Sequence, residues 1–378
     1  MATDNNNKVL NVPNLRFTGF DGEWEKDSLM NIASISKGSG ISKEQLSDSG
    51  LPCILYGELY TKYKSEVITD IYSKTDIETK GLVSSKANDV IIPCSGEAAI
   101  EIATARCVPM SNILLGGDLN IIRLNGHDGR FFAYQLNGKR KIDIAKVAQG
   151  VSVVHLYGEH LKKINVAYPS FAEQNKIAQL LSLVDKRIVS QNKIIEKLES
   201  LIKGLCQKLT QQGDSNTTLN ECLECYSSTL QENSVFEVGD FPVYGATGVC
   251  GYTNTPEVNR DSILIIKDGA SVGATYYASG KYSAIGTLHS LVAKKGYSLR
   301  YLYYCLKVFN FAPYRTGLAI PHIYFKDYGK AQIWCPHFEE QCRIASALEK
   351  VEQKIATEKS LLEQLYSQKR FLLQEMLI

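Results

Sequence analysis

At 378 residues, with 44% hydrophobic and 22% charged side chains, the chain is long enough for at least two folded domains. Its 42 Lys and Arg nearly balance 40 Asp and Glu, so a net charge of +2 excludes a broadly basic surface, and any DNA-binding face must be local or shared with a partner. Ten scattered cysteines, no signal-peptide core in the opening MATDNNNKVLNVPN and no apolar run near the ~20 residues of a membrane span point to a cytoplasmic protein with reduced thiols.

A first domain is expected over residues 1–165. β-Branched runs at Val90-Ile91-Ile92 and Asn120–Leu124, separated by turns such as Asn125-Gly126-His127-Asp128-Gly129, predict strands. Binding to a nucleic acid would need cations for phosphates and planar or hydrogen-bonding groups for base edges. Two clusters fit that need: Tyr56, Tyr60, Lys62, Tyr63 and Lys64, which interleave rings with ammonium groups, and the basic turn Lys139-Arg140-Lys141.

Residues 166–213 read as a long spacer helix. Ile177, Leu181, Val184, Ile188, Ile195, Leu198, Ile202 and Leu205 recur at steps of three and four, with a polar interruption at Gln191, which is the pattern of a coiled-coil seam. A helix from 171 to 209 would run roughly 58 Å at ~1.5 Å per residue, longer than a small domain needs. Ser170 with Glu173 predicts a capping box at its start.

The polar stretch QQGDSNTT leads into a second domain, 214–334, with strand-like runs at Ser262–Ile266 and Ser290–Ala293. Its candidate DNA contacts are Tyr244, Thr247 and Tyr252 in a glycine-rich loop, with Lys267, Tyr276, Lys281, Tyr282 and Arg315 around the strands. Both domains read as α+β, with sheet prominent.

The last segment, 335–378, repeats the first helix. Residues 168–210 align without a gap on 335–377, pairing Pro169 with Pro336, Phe171 with Phe338, Glu173 with Glu340, Gln174 with Gln341, Ile177 with Ile344 and Ala178 with Ala345. The second seam is Ile344, Leu348, Val351, Ile355, Leu362, Leu365, Leu372 and Met376, broken at Lys369 and at Glu358, which falls opposite Gln191. Gln191 and Glu358 either meet inside the seam and fix its register or lie in water at its rim. The match extends upstream through Gly150 and Gly317, His155 and His322, and Tyr157 and Tyr324, while the rest of the two domains shows little similarity. Since a domain's termini tend to lie together, the second helix is expected to run back along the first. The predicted fold is therefore two globular domains separated by two long antiparallel coiled-coil helices in a pseudo-two-fold, circularly organised arrangement.

Motifs for chemistry are missing. The chain has no Asn/Asp-Pro-Pro-Tyr/Phe motif for holding a target amine, no Phe-x-Gly-x-Gly cofactor loop and no phosphate-binding loop of the Walker type. Cys222-x-x-Cys225 lacks the second ligand pair of a zinc site and reads as buried thiols. The recurring His155 and His322 read as hydrogen-bonding groups at domain–helix junctions, since no nucleophile, base and acid can be assembled around them. No catalytic residue and no metal ligand is assigned.

The signature proline-x-aromatic-x-Glu-Gln-x-x-Ile-Ala at Pro169–Ala178 and again at Pro336–Ala345 resembles specificity subunits of type I restriction-modification systems, as do Val12–Trp24 and Phe241–Gly248. The resemblance spans essentially the whole chain, although the turn before each helix is Thr316-Gly317 in one half and Gln149-Gly150 in the other. It implies a DNA specificity subunit with two target-recognition domains, each reading one half of a bipartite target, and helices that set the gap between the halves. It also implies a chain with no cofactor or enzyme activity of its own. Its partners would be double-stranded DNA, two adenine-N6 methyltransferase subunits that bind S-adenosylmethionine, and restriction and translocase subunits. A coiled-coil interaction adaptor without DNA specificity would share the duplicated helices but has no need of two dissimilar inserts on one frame.

Overall fold

The computed structural model describes residues 10–317 and 319–378, and the chain divides into two compact units. The first comprises the residues up to Gln191 together with Leu361–Ile378, and the second comprises Asn192–Ser360. Each long helix is thus divided between the units, rather than standing apart from both as the boundaries drawn from sequence had it.

In the first unit, β1 (Ala33–Lys37), β2 (Asp89–Pro93), β3 (Arg106–Val108) and β4 (Leu119–Leu124) form an antiparallel sheet in the order β1-β4-β2-β3. One face packs Val90, Ile92 and Ile122 against Phe131, Phe132 and Leu136 of α1 (Gly129–Asn137). The other packs Ile91 and Ile121 on Ile54, Leu59 and Ile68 from the segment between β1 and β2. Because successive strand residues face opposite sides and both sides are covered, the central strands β2 and β4 read as apolar runs at Val90–Ile92 and Ile121–Ile122 without alternation.

The second unit uses the same frame. Its strands are β5 (Leu223–Ser227), β6 (Phe241–Gly245), β7 (Gly248–Thr253), β8 (Val258–Asn259), β9 (Ser262–Ile266), β10 (Thr275–Ala278), β11 (Lys281–Ala284) and β12 (Leu288–Ala293), followed by α3 (Leu299–Lys307). The main sheet runs β5-β12-β9-β10, the same first-last-second-third order of its strands as in the first unit. Register matches as well: the rung Ile35, Ile122, Val90, Cys107 corresponds to Cys225, Leu291, Ile263, Tyr277. The two domains are therefore alike well beyond their ends, contrary to the sequence expectation. The likeness escapes a gap-free alignment because the connections between the shared strands differ in length.

What differs is the insert between the first two frame strands. In the first unit, residues 38–88 carry the strands Leu51–Ile54 and Ser73–Thr75, which join Leu114–Leu115 in a three-stranded sheet. In the second unit, residues 228–261 carry β6, β7 and β8, which join β11 in a four-stranded sheet.

Each unit closes its own ends. Glu25–Ser28 pairs with Asn165–Tyr168 in one, and Thr217–Thr218 with Gln332–Ile333 in the other. At matching positions the Leu29 amide donates to Ile164 O and the Leu219 amide to Ala331 O, both at 3.0 Å. The recurring glycine-histidine motif is a tight backbone loop: Gln149 bridges His155 and Thr316 bridges His322, with Gly150 at φ +122° and Gly317 at φ +86°. A Cβ at either glycine would lie 2.0 Å from Val153 O or 2.3 Å from Ile320 O, so backbone space selects glycine there, whether Gln or Thr precedes it.

The long helices are α2 (Phe171–Thr210, 40 residues) and α4 (Phe338–Glu375, 38 residues). In the first unit Ile177, Leu181, Val184 and Ile188 of α2 share a core with Leu365, Leu372 and Met376 of α4. In the second, Ile202 and Cys206 share one with Ile344, Leu348 and Ile355. The start of one helix meets the end of the other in each case, so they run antiparallel. Of the other seam residues Ile195 is buried, and Leu198, Leu205, Val351 and Leu362 are half-buried. Gln191 and Glu358 are 6% and 8% exposed, which rules out the watery rim. The interruption at Lys369 has its own cause: its ammonium lies 2.7 Å from Asp185 and 2.5 Å from Glu66. Burial, with the Glu66 charge, still drives the Asp185 carboxyl up to about 6.

The Glu-Gln signature owes its form to two hydrogen bonds. Gln174 Oε1 accepts from the amide of Asp128, the N-cap of α1, at 3.0 Å, while Nε2 donates to Pro169 O at 2.8 Å. Gln341 Oε1 likewise accepts from the amide of Ser298, the N-cap of α3, and its Nε2 donates to Pro336 O, both at 2.8 Å. Glu173, expected to cap with Ser170, receives Arg16 Nε and Nη2 at 2.8 Å, which fastens the N-terminal segment to the helix start. Further along, Tyr134 Oη donates to Asp185 at 2.7 Å and Tyr304 Oη to Glu352 at 2.9 Å, again at matching positions of α2 and α4.

Replacing Gln174 or Gln341 by Leu leaves a buried amide and carbonyl unpartnered, and each variant should lose about 1–3 kcal/mol in denaturant unfolding. A second expectation concerns pH. Burial, aided by repulsion from Lys267, holds the His289 imidazole down at about 4, where its Nδ1 shares a hydrogen bond with Tyr328 Oη at 3.0 Å. Its folded value lies below the ordinary 6.5, so its contribution to stability is complete above pH 6.5 and is lost as pH falls towards 4. The slope is about 1.4 kcal/mol per pH unit. Unfolding measured across that window should show an acid limb that His289→Asn flattens.

Candidate nucleic-acid interface

The insert of the first unit places the cluster Tyr56 to Lys64 on and around a short helix, Glu58–Thr61. Tyr56 is exposed, as is Lys64, whose ammonium reaches Tyr60 O at 3.1 Å. Lys62 is engaged locally: its Nζ donates to Glu58 Oε1 at 2.7 Å and to Ser73 Oγ at 2.9 Å. Tyr60 donates its hydroxyl to Ser95 O at 3.1 Å, and burial pushes that phenol well above its ordinary value. Tyr63 is only 4% exposed and belongs to the core with Ile54 and Leu59, so its candidacy for stacking on a base is withdrawn.

The basic turn meets the same region through Arg106, which donates to Tyr63 O at 3.0 Å; burial, with repulsion from Arg106, lowers the Lys141 ammonium. Arg140 is tied to Ile378 O at 3.2 Å and to Asp143 at 3.3 Å. Lys139 is the exposed cation of the three.

In the second unit the small sheet gathers most of the candidates. Thr247 sits at the exposed β6–β7 turn and Tyr252 is exposed on β7, while Lys281 is exposed with its ammonium 5.7 Å from the Phe241 ring. Tyr244 packs edge-on against Tyr282 at 5.5 Å, and Tyr276 donates to Ala246 O at 3.2 Å. Tyr282 is fully buried, with its hydroxyl 2.8 Å from Ser290 Oγ, and is likewise withdrawn as a DNA contact. Both withdrawn tyrosines fill the space between a frame sheet and its insert, a role that an aromatic residue in a strand-rich segment shares with surface ones. Lys267 and Arg315 lie apart from this group, engaged by Asp268 at 2.6 Å and by Val272 O at 2.9 Å.

His155 is exposed, its ring 6.1 Å from that of Tyr157, whereas His322 Nδ1 lies 2.7 Å from Asp268 Oδ1. The recurring histidines thus share a backbone role, and their rings differ in use. Of the Cys-x-x-Cys pair, Cys222 is buried but Cys225 is half-buried, which corrects the expectation of two buried thiols. The neighbouring Cys335 thiol, rather than Cys225, lowers the Cys222 thiol below its ordinary value through hydrogen bonding. Among the described residues no group of three His, Cys, Asp or Glu could hold a metal ion, and no helix is long and apolar enough to cross a membrane.

Sequence reasoning missed one arrangement. Arg260, in the turn before β9, lies 4.7 Å from the ring centroid of Tyr226 on β5, and both are exposed. Residues this far apart in sequence, joined by no periodic pattern, leave no local signal of the stack.

Comparison with known proteins matches the duplicated geometry. The family model described as the type I restriction modification DNA specificity domain matches residues 21–200 and again residues 226–367. A provisionally named type I specificity subunit of Mycoplasma genitalium is 27% identical over 165 residues, covering 39% of this chain and 43% of the relative. The match therefore spans less than half the length of that relative. Among solved structures, the S subunit of a type I restriction-modification system from M. genitalium superposes with a TM-score of 0.68 at 20% identity, over 97% of this chain and 99% of that one. A chain from a structure addressing complex assembly and conformational transition of the type I system gives 0.57 at 15% identity, over 94% and 98%. Both likenesses are of fold.

Proposed function

We propose that this chain, which belongs to the type I restriction-modification DNA specificity family, is the sequence-reading subunit of such a complex, with each unit reading one half of a bipartite DNA target. One observation carries the reading: the units share strand order and register but fill the frame with unrelated inserts, residues 38–88 and 228–261. A shared frame suits a shared task, holding duplex DNA. Different inserts suit different base sequences, since specificity lies in base-edge contacts and not in the phosphate contacts common to any site.

Methylation and cleavage belong, in this reading, to partners: two adenine-N6 methyltransferase subunits that bind S-adenosylmethionine, and restriction and translocase subunits. The chain itself takes no cofactor and does no chemistry. Exposed apolar residues recur at matching positions of the long helices, Phe171 at 55% and Phe338 at 52%, which fits two copies of one partner. With a formal net charge of only +2, the isolated chain should bind DNA weakly and with strong salt dependence.

The test is methylome sequencing of cells that carry the chain with its modification subunits. Exchanging the insert 38–88 for that of another family member should change the bases of one half-site alone; a change in both would refute one unit per half-site. Deleting one heptad from each long helix, residues 189–195 and 356–362, should alter or abolish the permitted gap and leave the half-site bases as they were.

A further inference from the structure

We infer that Arg260, seated on Tyr226, reads a guanine base edge in the half-site taken by the second unit; this rests on the reading of the chain as a DNA specificity subunit. The pair borders an open groove of about 380 Å³, also lined by Ser228, Glu257, Asn259 and Ser290.

The first reason is that, among the described residues, this arginine alone in its unit has neither a carboxylate nor a carbonyl partner. Of the four arginines in residues 192–360, Arg300 pairs with Glu349, Arg343 with Glu340, and Arg315 donates to Val272 O. Among the described residues Arg260 forms no ion pair, and its guanidinium is instead laid over the Tyr226 ring. A guanidinium held on an aromatic face gives up rotamer freedom before it binds, while its in-plane N–H fork stays available. The stack is itself braced, since Tyr226 Oη donates to Glu224 Oε2 at 2.7 Å.

Second, the surroundings suit a base edge better than a phosphate. Glu224 and Glu257 place carboxylates beside the groove, Glu257 accepting from Ser228 Oγ at 2.8 Å. Two anions repel a phosphodiester but tolerate the uncharged edge of a base pair, to which serine hydroxyls and the Asn259 carboxamide also add hydrogen-bonding groups. The bidentate fork of arginine matches guanine O6 and N7 in the major groove.

Third, the pair is peculiar to one unit. By the shared strand registers, Tyr226 corresponds to Ser36 of the first unit, and Arg260 lies in the insert, which the first unit does not share. A device for gripping the backbone, useful at both half-sites, would be expected in both units. A device for reading a base is expected in one.

The experiment uses the complete complex with its modification subunits. The wild-type target is first defined by methylome sequencing, and insert exchange assigns the half-site of the second unit. Arg260→Ala and Arg260→Lys are then compared on duplexes in which each position of the target is changed singly. Both variants should lose about tenfold or more of the discrimination at a single guanine of that half-site, with every other position still read. Tyr226→Leu should weaken discrimination at the same position. Modification of the other half-site reports that each variant is folded and assembled. Full discrimination by Arg260→Ala would overturn the inference, since no base would then be read by this residue, as would weakening that is equal across all sequences, which marks a mere phosphate contact. A wild-type complex that modifies no defined bipartite sequence would sink the functional reading and this inference together, whereas a normal wild type with unaffected variants would sink this inference alone.

Discussion

One glutamine carboxamide holds each half of this molecule to its helix. Gln174 and Gln341 stand four residues into α2 and α4, and each uses its oxygen on the N-cap amide of the domain helix and its nitrogen on a proline carbonyl. Only a side chain with donor and acceptor on one rigid group can serve both partners at once. These bonds lie in the interior, where an unmet amide is costly, so they set the angle at which each long helix leaves its own sheet. The tyrosine–carboxylate pairs further along, Tyr134 with Asp185 and Tyr304 with Glu352, extend the same attachment by more than two turns.

With the frame fastened in this way, the inserts are free to diverge. A four-stranded sheet covered on one face by helices tolerates any cover on the other that buries the second set of strand side chains. The first unit meets that need with Ile54, Leu59, Tyr63 and Ile68, and the second with Tyr244, Val258, Tyr282 and Ala284. Several tyrosines that look like DNA contacts in the sequence are spent on this packing. The surfaces beyond them, with Tyr56, Lys64, Lys139, Thr247, Tyr252 and Lys281, are where variation costs least stability.

The near-neutral net charge has a structural counterpart. Arg16, Arg123, Arg130, Arg300 and Lys369 are each matched by a carboxylate within their own unit, and several of these partners are buried. Such pairs hold the fold in place and contribute little to an external field.

The sequence by itself determined the two long helices, their common register and the recurrence of the domain ends, because a helical seam and a gap-free repeat are local patterns readable along one chain. The strands were legible for the same reason, as apolar runs between glycine turns. Only the tertiary structure decided that the sheets share one topology, since pairing of the first and last frame strands joins residues 62 to 91 positions apart across connections of unequal length. It also decided which aromatic and basic residues reach the surface: Tyr63 and Tyr282 have the composition of contacts but the burial of core, and Arg260 meets Tyr226 only when the sheet is assembled. Exposure and stacking depend on what lies across the fold, and no window of sequence contains that.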